Sequence, residues 1–159
     1  MSRPKLAHWI AFLLPATLLA GVWGAQLIGG LYPCEMCHWQ RWPHYSAVLI
    51  AGATFFVPGR SLRASLVIIA ALLIGLSGLI GVAHAGVEYH WWNGFTACTT
   101  TVSMAGTTAA ERLAAIMNAP MVRCDSPQWK LLGISLAGFN AIFSLAGAFT
   151  IFALMRKTR

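Results

Sequence analysis

Apolar residues are concentrated in four long segments of the chain, separated by shorter and more polar stretches. The segments run from about 7 to 28, from about Cys37 or Pro43 to 57, from about 62 to 83 and from about 129 to 155. Each is close to the roughly 20 mostly apolar residues that a helix needs to cross a bilayer. Glycine and other small residues recur in all four, and such residues let helices pack closely in lipid. The pattern predicts an all-α membrane protein whose single domain is a four-transmembrane-helix bundle.

Positive charge is gathered at both ends of the chain and in the short connection near residue 60. No acidic residue accompanies these charges, which belong to Arg3, Lys5, Arg60, Arg63, Arg156, Lys157 and Arg159. The positive-inside rule therefore predicts that both termini and this connection are cytoplasmic. The loops at about 29–42 and 84–128 then lie on the outer face. The first apolar segment exceeds the roughly 7–15 residues of a signal-peptide core, so we expect it to be retained as a helix.

Composition agrees with this class. The chain has 159 residues, of which 58% are hydrophobic and 9% charged, whereas about a quarter are charged in ordinary soluble domains. Its mean hydropathy is +0.68. The net charge of +7 is divided among three short cytoplasmic segments rather than clustered on a soluble surface. The distribution argues against a nucleic-acid-binding protein.

A short helix is expected within the second outer loop. Thr108-Ala109-Ala110-Glu111 has the form of a capping box, and apolar residues follow at helical spacing. Asn118 and Pro120 supply a stop signal. The sequence predicts an amphipathic helix lying on the membrane surface. An ordinary lid helix packed on the bundle is the alternative.

The residues with the most distinctive chemistry lie at the outer start of the second segment, in Pro33-Cys34-Glu35-Met36-Cys37-His38-Trp39-Gln40-Arg41. Two further cysteines, Cys98 and Cys124, lie in the second outer loop. All four are thus expected in the compartment where disulfides form and persist. Four cysteines allow three pairings. Spacing favours a Cys34–Cys37 redox pair, which leaves Cys98 with Cys124.

The Cys34–Cys37 pair is suited to thiol–disulfide exchange. A helix N-terminus stabilises a thiolate, and Arg41 adds positive charge one turn after Cys37, although Glu35 acts in the opposite sense. Exchange proceeds through a mixed disulfide, so a second pair on a loop can pass electrons from a soluble partner to this pair. A quinone in the bilayer is the natural final acceptor, and Arg41 would hydrogen-bond its carbonyl. The alternative for Arg41 is an interfacial arginine that binds lipid phosphate.

These features together resemble the DsbB family of disulfide-bond oxidases from bacterial inner membranes. The resemblance covers nearly the whole chain. It rests on the four spans, on Cys34-x-x-Cys37-x-x-x-Arg41, and on the two cysteines that flank the predicted surface helix. The opening of the last span, with Gly133-Ile134-Ser135 and Gly138-Phe139-Asn140, is similar too. The resemblance implies a protein thiol:quinone oxidoreductase of the inner membrane, with its active site on the periplasmic side.

The resemblance also implies a role for each site residue. Cys98 would form a mixed disulfide with a reduced DsbA-like partner of thioredoxin fold, and Cys124 would resolve it. Cys124 would then engage Cys34 in an inter-loop disulfide and release Cys37 as a thiolate. Cys37 would react with the quinone, ubiquinone or menaquinone, beside Arg41. A general oxidase and a dedicated paralogue would look alike here.

Other interpretations compete with the oxidase. Cys34-x-x-Cys37-His38 matches the attachment pattern of a c-type haem, which would make the chain a membrane cytochrome with His38 as an axial ligand. That interpretation explains neither the later cysteines nor Arg41. A zinc or copper site, and a scaffold merely stapled by two disulfides, are further alternatives; we expect no metal. His84, Glu88 and His90 lie near the expected quinone level, but such residues are more often interfacial, and we assign them no catalytic role.

Overall fold

The structure is a computed structural model, which describes residues 2–94, 96, 108–117 and 122–156. Cys98, Asn118 and Pro120 lie outside the described residues. Five helices and one small hairpin follow one another along the chain: α1 (Arg3–Leu27), α2 (Glu35–Ala53), α3 (Arg60–Glu88), α4 (Ala109–Met117), β1 (Lys130–Leu131), β2 (Ile134–Ser135) and α5 (Leu136–Arg156).

Three of the helices are long and apolar enough to cross a membrane. These are α1, α3 and α5, whose most apolar windows have mean hydropathies of 1.7, 2.7 and 1.7. Helix α2 is shorter, at 19 residues, and its N-terminal part carries Glu35 and Arg41. This end of the bundle is called the outer end, after the orientation predicted from the sequence. The prediction of a helical membrane protein is therefore confirmed at this level.

Helix α2 begins earlier than the predicted Cys37 or Pro43. Its N-cap is Cys34, whose side chain accepts a hydrogen bond from the backbone N–H of Cys37 at 3.3 Å. A sulfur atom thus takes the place of the usual capping oxygen. Pro43 lies inside the helix. The consequence is that both cysteines of the pair belong to the first turn of one helix.

Small side chains let the helices approach closely. The half of the bundle away from Cys34 and Cys37 is called the inner half. It is filled by an apolar cluster that includes Ala7, Ala11, Ala47, Ala51, Ala70, Ala71, Ile74, Ala148 and Ile151. Between α3 and α5, a methyl group added at Gly81 would lie 3.0 Å from the backbone nitrogen of Ala141 and 3.1 Å from the carbonyl oxygen of Ala137. The predicted role of small residues in packing is confirmed at these positions.

The start of the last apolar segment differs from the prediction. The segment was expected to be helical from about Trp129, but α5 begins at Leu136, after the antiparallel hairpin of β1 and β2. All-α was therefore incomplete as a fold class. Leu132 and Gly133 turn the hairpin with φ of 52° and 81°. The Tyr89 hydroxyl donates to the Gly133 carbonyl at 2.8 Å and accepts from the Ser135 N–H at 2.9 Å, which fixes the hairpin to the end of α3.

The short helix of the second outer loop forms where its capping box predicts. The backbone N–H of Glu111 donates to the Thr108 hydroxyl at 3.2 Å, and the N–H of Thr108 donates to the Glu111 carboxylate at 3.0 Å. This reciprocal pair satisfies two backbone donors at the helix start. The described side chains of α4 are exposed. Its predicted position on a membrane surface stays a prediction.

Candidate thiol redox site

The first two cysteines face each other at the outer end of α2. Cys34 and Cys37 are free thiols whose sulfur atoms are 2.8 Å apart, against about 2.05 Å in a disulfide. The Cys34 thiol donates to the Cys37 sulfur. This hydrogen bond, together with burial, raises the pKa of Cys34 above its usual range. In this geometry Cys34 is the donor and Cys37 is the acceptor of the hydrogen bond between the two sulfur atoms.

Cys124 lies beside Cys34. The sulfur atoms of these two residues and Nε2 of His84 are all within 4.8 Å of one another. Cys124 is buried and disulfide-bonded. The fold thus brings a cysteine of the second outer loop to the pair in the first loop, which is the geometry that exchange between them requires. The role expected for Cys98 lies outside the described residues and stays a prediction.

A side-chain amide holds the two loops together. Gln128 accepts the backbone N–H of Tyr32 at 3.0 Å and donates to the Tyr32 carbonyl at 2.6 Å. The two bonds reproduce the pairing of neighbouring strands, with a side chain in place of one backbone. Tyr32 precedes Cys34 by two residues, and Gln128 follows Cys124 by four. The contact therefore joins the two segments that carry these cysteines.

Arg41 is buried one turn after Cys37. Its Nη1 donates to the side-chain oxygen of Gln26 at 2.8 Å, and its guanidinium carbon lies 5.5 Å from the centre of the Trp23 ring. Both partners belong to α1. These contacts direct the positive charge into the bundle rather than toward a lipid phosphate.

A pocket of about 220 Å³ opens beside the cysteine pair. This volume is several times the roughly 30 Å³ that one water molecule occupies in the liquid. Its wall is mostly apolar and comes from α1, α2, α3, α5 and the second outer loop. The polar or sulfur-bearing side chains in the wall include Cys34, Cys37, Arg41, His44, His84 and Glu88. An apolar pocket with a few converging polar groups is typical of small-molecule sites.

Two residues that the sequence left unassigned belong to this site. Nε2 of His84 is 3.5 Å from the Cys34 sulfur and 3.8 Å from a carboxylate oxygen of Glu88. Both side chains are buried, whereas His90 is exposed after the end of α3. The spacing of four residues places His84 and Glu88 on one helical face. That spacing was the feature of the sequence from which their place in the site could have been predicted.

Sequence reasoning also missed a hydrogen-bonded polar cluster between α2, α3 and α5. Its centre is Asn140, whose amide nitrogen donates to Gln40 at 2.8 Å and to the Ser77 hydroxyl at 3.1 Å. His44 and Ser144 bond the Asn140 oxygen at 2.9 and 3.0 Å. Polar residues inside apolar segments are the available signal, since they are costly in lipid and often functional.

The three atoms around Cys34 are also close enough to hold a metal ion. A disulfide-bonded sulfur is, however, a poor metal ligand, because metal sites use the thiolate. With Cys124 in a disulfide, the donor set does not fit the zinc or copper alternative.

The fold and the site define a helical membrane protein with a pair of free thiols, one buried and one partly buried, beside a disulfide-bonded third cysteine. Comparison with protein families identifies the group more closely: the model of the disulfide bond formation protein DsbB matches residues 4–154. The chain belongs to the DsbB family, whose membership indicates a disulfide-bond-forming membrane protein.

Among individual proteins, the chain is similar to Uncharacterized protein RP370 of Rickettsia prowazekii (strain Madrid E). The two are 20% identical over 144 residues, which cover 90% of this chain and 83% of that protein. No solved structure matches the chain. The resemblance stated from the sequence is thus confirmed for the family.

Proposed function

We propose that the protein is a thiol:quinone oxidoreductase that reoxidises a DsbA-like periplasmic protein and passes two electrons to a membrane quinone. The observation that carries the proposal is the position of Cys34, which contacts Cys37 on one side and lies beside Cys124 on the other. Family membership supports the same reaction. It also favours this function over a c-type cytochrome.

The electrons would move by two thiol–disulfide exchanges. A thiolate of the partner attacks Cys98 in a Cys98–Cys124 disulfide, and the electron pair leaves on the Cys124 sulfur. The Cys124 thiolate then attacks Cys34 in a Cys34–Cys37 disulfide, so that Cys34 bonds to Cys124 and Cys37 leaves as a thiolate. A third exchange would release the partner: its second thiolate attacks its own sulfur in the mixed disulfide with Cys98, so that the partner leaves oxidised and Cys98 leaves as a thiolate. Each step breaks one S–S bond and forms one.

The pocket fits a quinone as the final acceptor of the two electrons. Its walls are apolar, and two buried polar atoms in its lining residues, Nδ1 of His44 and Oε2 of Glu88, have no hydrogen-bond partner among the described residues. Buried polar atoms are normally paired, so a ligand with its own polar groups is expected beside them. Arg41 would donate to a quinone oxygen. When bound, the quinone supplies the oxidising power and leaves as the quinol.

Four spans with both termini in the cytoplasm are part of the proposal. At the outer end, Tyr32 after α1 contacts Gln128 before α5, and Cys34 before α2 contacts His84 near the end of α3. At the opposite end, Thr54 after α2 contacts His8 near the start of α1. Helix α2 therefore runs the length of the bundle. Its 19 residues give about 28 Å, close to the roughly 30 Å hydrocarbon thickness.

The direct test is quinone reduction by the purified protein in detergent. A reduced thioredoxin-fold partner and a short-chain quinone are mixed with the protein, and the loss of quinone absorbance is followed. We expect catalytic loss that Cys98→Ser abolishes. Arg41→Ala should raise the KM for quinone, whereas Arg60→Ala, a matched arginine in the predicted cytoplasmic loop, should not. Absence of turnover with a competent partner would overturn the proposal, and a covalent haem spectrum would replace it with the cytochrome.

A further inference from the structure

A chain of hydrogen bonds leads from α5 across α2 and α3 to the cysteine pair. Asn140 donates to Gln40 at 2.8 Å, and Nε2 of Gln40 lies 2.7 Å from Nδ1 of His84. Nε2 of His84 lies 3.5 Å from the Cys34 sulfur, which donates to Cys37 at 2.8 Å. The direction of donation along this chain decides which sulfur receives the last hydrogen bond.

The orientation of the Asn140 amide is fixed by its surroundings. Its nitrogen lies 3.1 Å from the backbone carbonyl of Ser77, and a carbonyl can only accept. Its oxygen accepts from the Ser144 hydroxyl at 3.0 Å. Reversing the amide would place two acceptors against each other. Asn140 therefore donates to Gln40 rather than accepting from it.

The orientation of Gln40 follows from that of Asn140. The oxygen of the Gln40 amide accepts from Asn140, while its nitrogen donates to the Met36 carbonyl at 3.3 Å. The same nitrogen donates to His84, so Nδ1 of His84 must present a lone pair. A neutral imidazole then carries its proton on Nε2. That nitrogen faces the Cys34 sulfur and the Glu88 carboxylate, which are both acceptors.

We propose that Asn140 and Gln40 are positioning residues that hold His84 in the Nε2–H tautomer, so that every donor in the chain points toward Cys37. His84 donates to Cys34, and Cys34 donates to Cys37. No proton is transferred and no covalent bond changes. Negative charge is thereby stabilised on Cys37, the sulfur that faces the pocket with Arg41. The effect of this hydrogen-bond direction on turnover rests on the proposed function, whereas the direction itself does not depend on it.

Other charged or titratable groups around Cys37 act on the same sulfur and must stay unchanged in a test. On its own side these are Tyr32, Cys34, Arg41 and His44, and from α3 they are His84 and Glu88. Arg123 of the second outer loop also lines the pocket. The residues that α1 and α5 contribute to the pocket wall carry no titratable group.

The first test measures the reactivity of Cys37 directly. The full-length protein in detergent is reduced, and the rate of iodoacetamide alkylation at Cys37 is followed by peptide mass spectrometry over a range of pH. Gln40→Leu and Asn140→Leu should move the pH midpoint upward and slow alkylation at neutral pH about fivefold, because a donor to the chain is lost. Ser144→Ala is the matched control, since it removes one contact of Asn140 without changing the direction in which Asn140 donates. Unaltered midpoints in both leucine variants would overturn the proposal.

The second test reads the His84 tautomer in the wild-type protein. Nitrogen NMR of histidine-labelled protein reports which imidazole nitrogen carries the proton, and His84→Asn assigns the signal. We expect the Nε2–H tautomer, and the opposite tautomer would contradict the proposal. Neither measurement uses quinone or a partner. A failure of the proposed oxidase activity would therefore appear in the turnover assay, separately from these two readouts.

Discussion

The two halves of the bundle are built from different residues. The inner half is packed with alanines and a few branched apolar side chains, such as Ala7, Ala51, Ala71 and Ile74, and its buried surface is almost wholly apolar. The outer half buries polar and charged side chains, which are costly in lipid: Gln40, Arg41, His44, Ser77, His84, Glu88, Ser135 and Ser144. The inner half serves helix packing, and the outer half holds the groups that surround the thiols.

The contrast shows how one bundle separates stability from chemistry. In lipid, close approach of small residues holds helices together, whereas buried polar groups are costly unless they bond one another. Most of the outer groups meet that condition, chiefly through Asn140 and Gln40, which join three helices. Substitutions in the outer half should therefore reduce activity, whereas substitutions in the inner half should reduce the amount of folded protein.

The largest expected effect is the loss of activity on removal of one sulfur atom in the outer half. Cys37→Ala should reduce thiol-dependent quinone reduction to background, because Cys37 is the sulfur that faces the pocket. The free energy of unfolding should change by no more than about 1 kcal/mol. Turnover and thermal unfolding in detergent measure the two quantities. Met36→Leu is the control, because Met36 is a buried neighbour with no role in thiol exchange. Residual turnover in Cys37→Ala would show that another group passes the electrons.

The inner half should give the opposite result. Ala71 is fully buried in the apolar cluster. Ala71→Leu should destabilise the bundle by about 1–3 kcal/mol through overpacking, while turnover per folded molecule stays the same. Leu72→Ala tests the exposed neighbour on the same helix and should stay within about 0.5 kcal/mol. A fall in turnover per folded molecule in Ala71→Leu would mean that the two halves are coupled.

A smaller effect is expected where the two outer loops meet. Gln128→Ala removes both hydrogen bonds to Tyr32 and should slow exchange between Cys124 and Cys34 about tenfold, the equivalent of roughly 1.4 kcal/mol. Acid quenching and gel analysis of the inter-loop disulfide measure that step. Gln128→Glu keeps the acceptor for the Tyr32 N–H and should therefore slow the exchange less than Gln128→Ala does. Equal rates in the wild type and Gln128→Ala would show that the disulfide alone sets the distance.

Much of the architecture was predictable, because it depends on local patterns. Long apolar segments, small packing residues and the Thr108 capping box are each readable from neighbouring residues, and each is found in the structure. The start of α5 was not predictable in this way, since Leu131, Leu132 and Ile134 are as apolar as the residues of a membrane helix. Only the left-handed backbone at Leu132 and Gly133 distinguishes the turn.

The site was predictable only in part, for a physical reason. Cys34, Cys37 and Arg41 lie within one turn or two of each other, so their proximity follows from helix geometry. The contacts of His84 with Gln40 and of Asn140 with Ser77 join residues far apart in the chain. Such contacts depend on how the helices rotate about their axes. Spacing favoured Cys37 as the partner of Cys34, whereas the approach of Cys124 to Cys34 depends on tertiary structure.

The smallest effect is expected in α4, which lies outside both halves of the bundle. Thr108→Ala removes one arm of the capping box and should cost the helix about 1 kcal/mol. Hydrogen exchange should speed up in α4 alone, because the described side chains of this helix are exposed. Glu111→Gln is the matched control, since glutamine also completes a capping box. Turnover should be nearly unchanged in both variants. A fall in turnover as large as that of Gln128→Ala would assign α4 to the partner-binding surface, and the separation between packing and chemistry would then extend beyond the bundle.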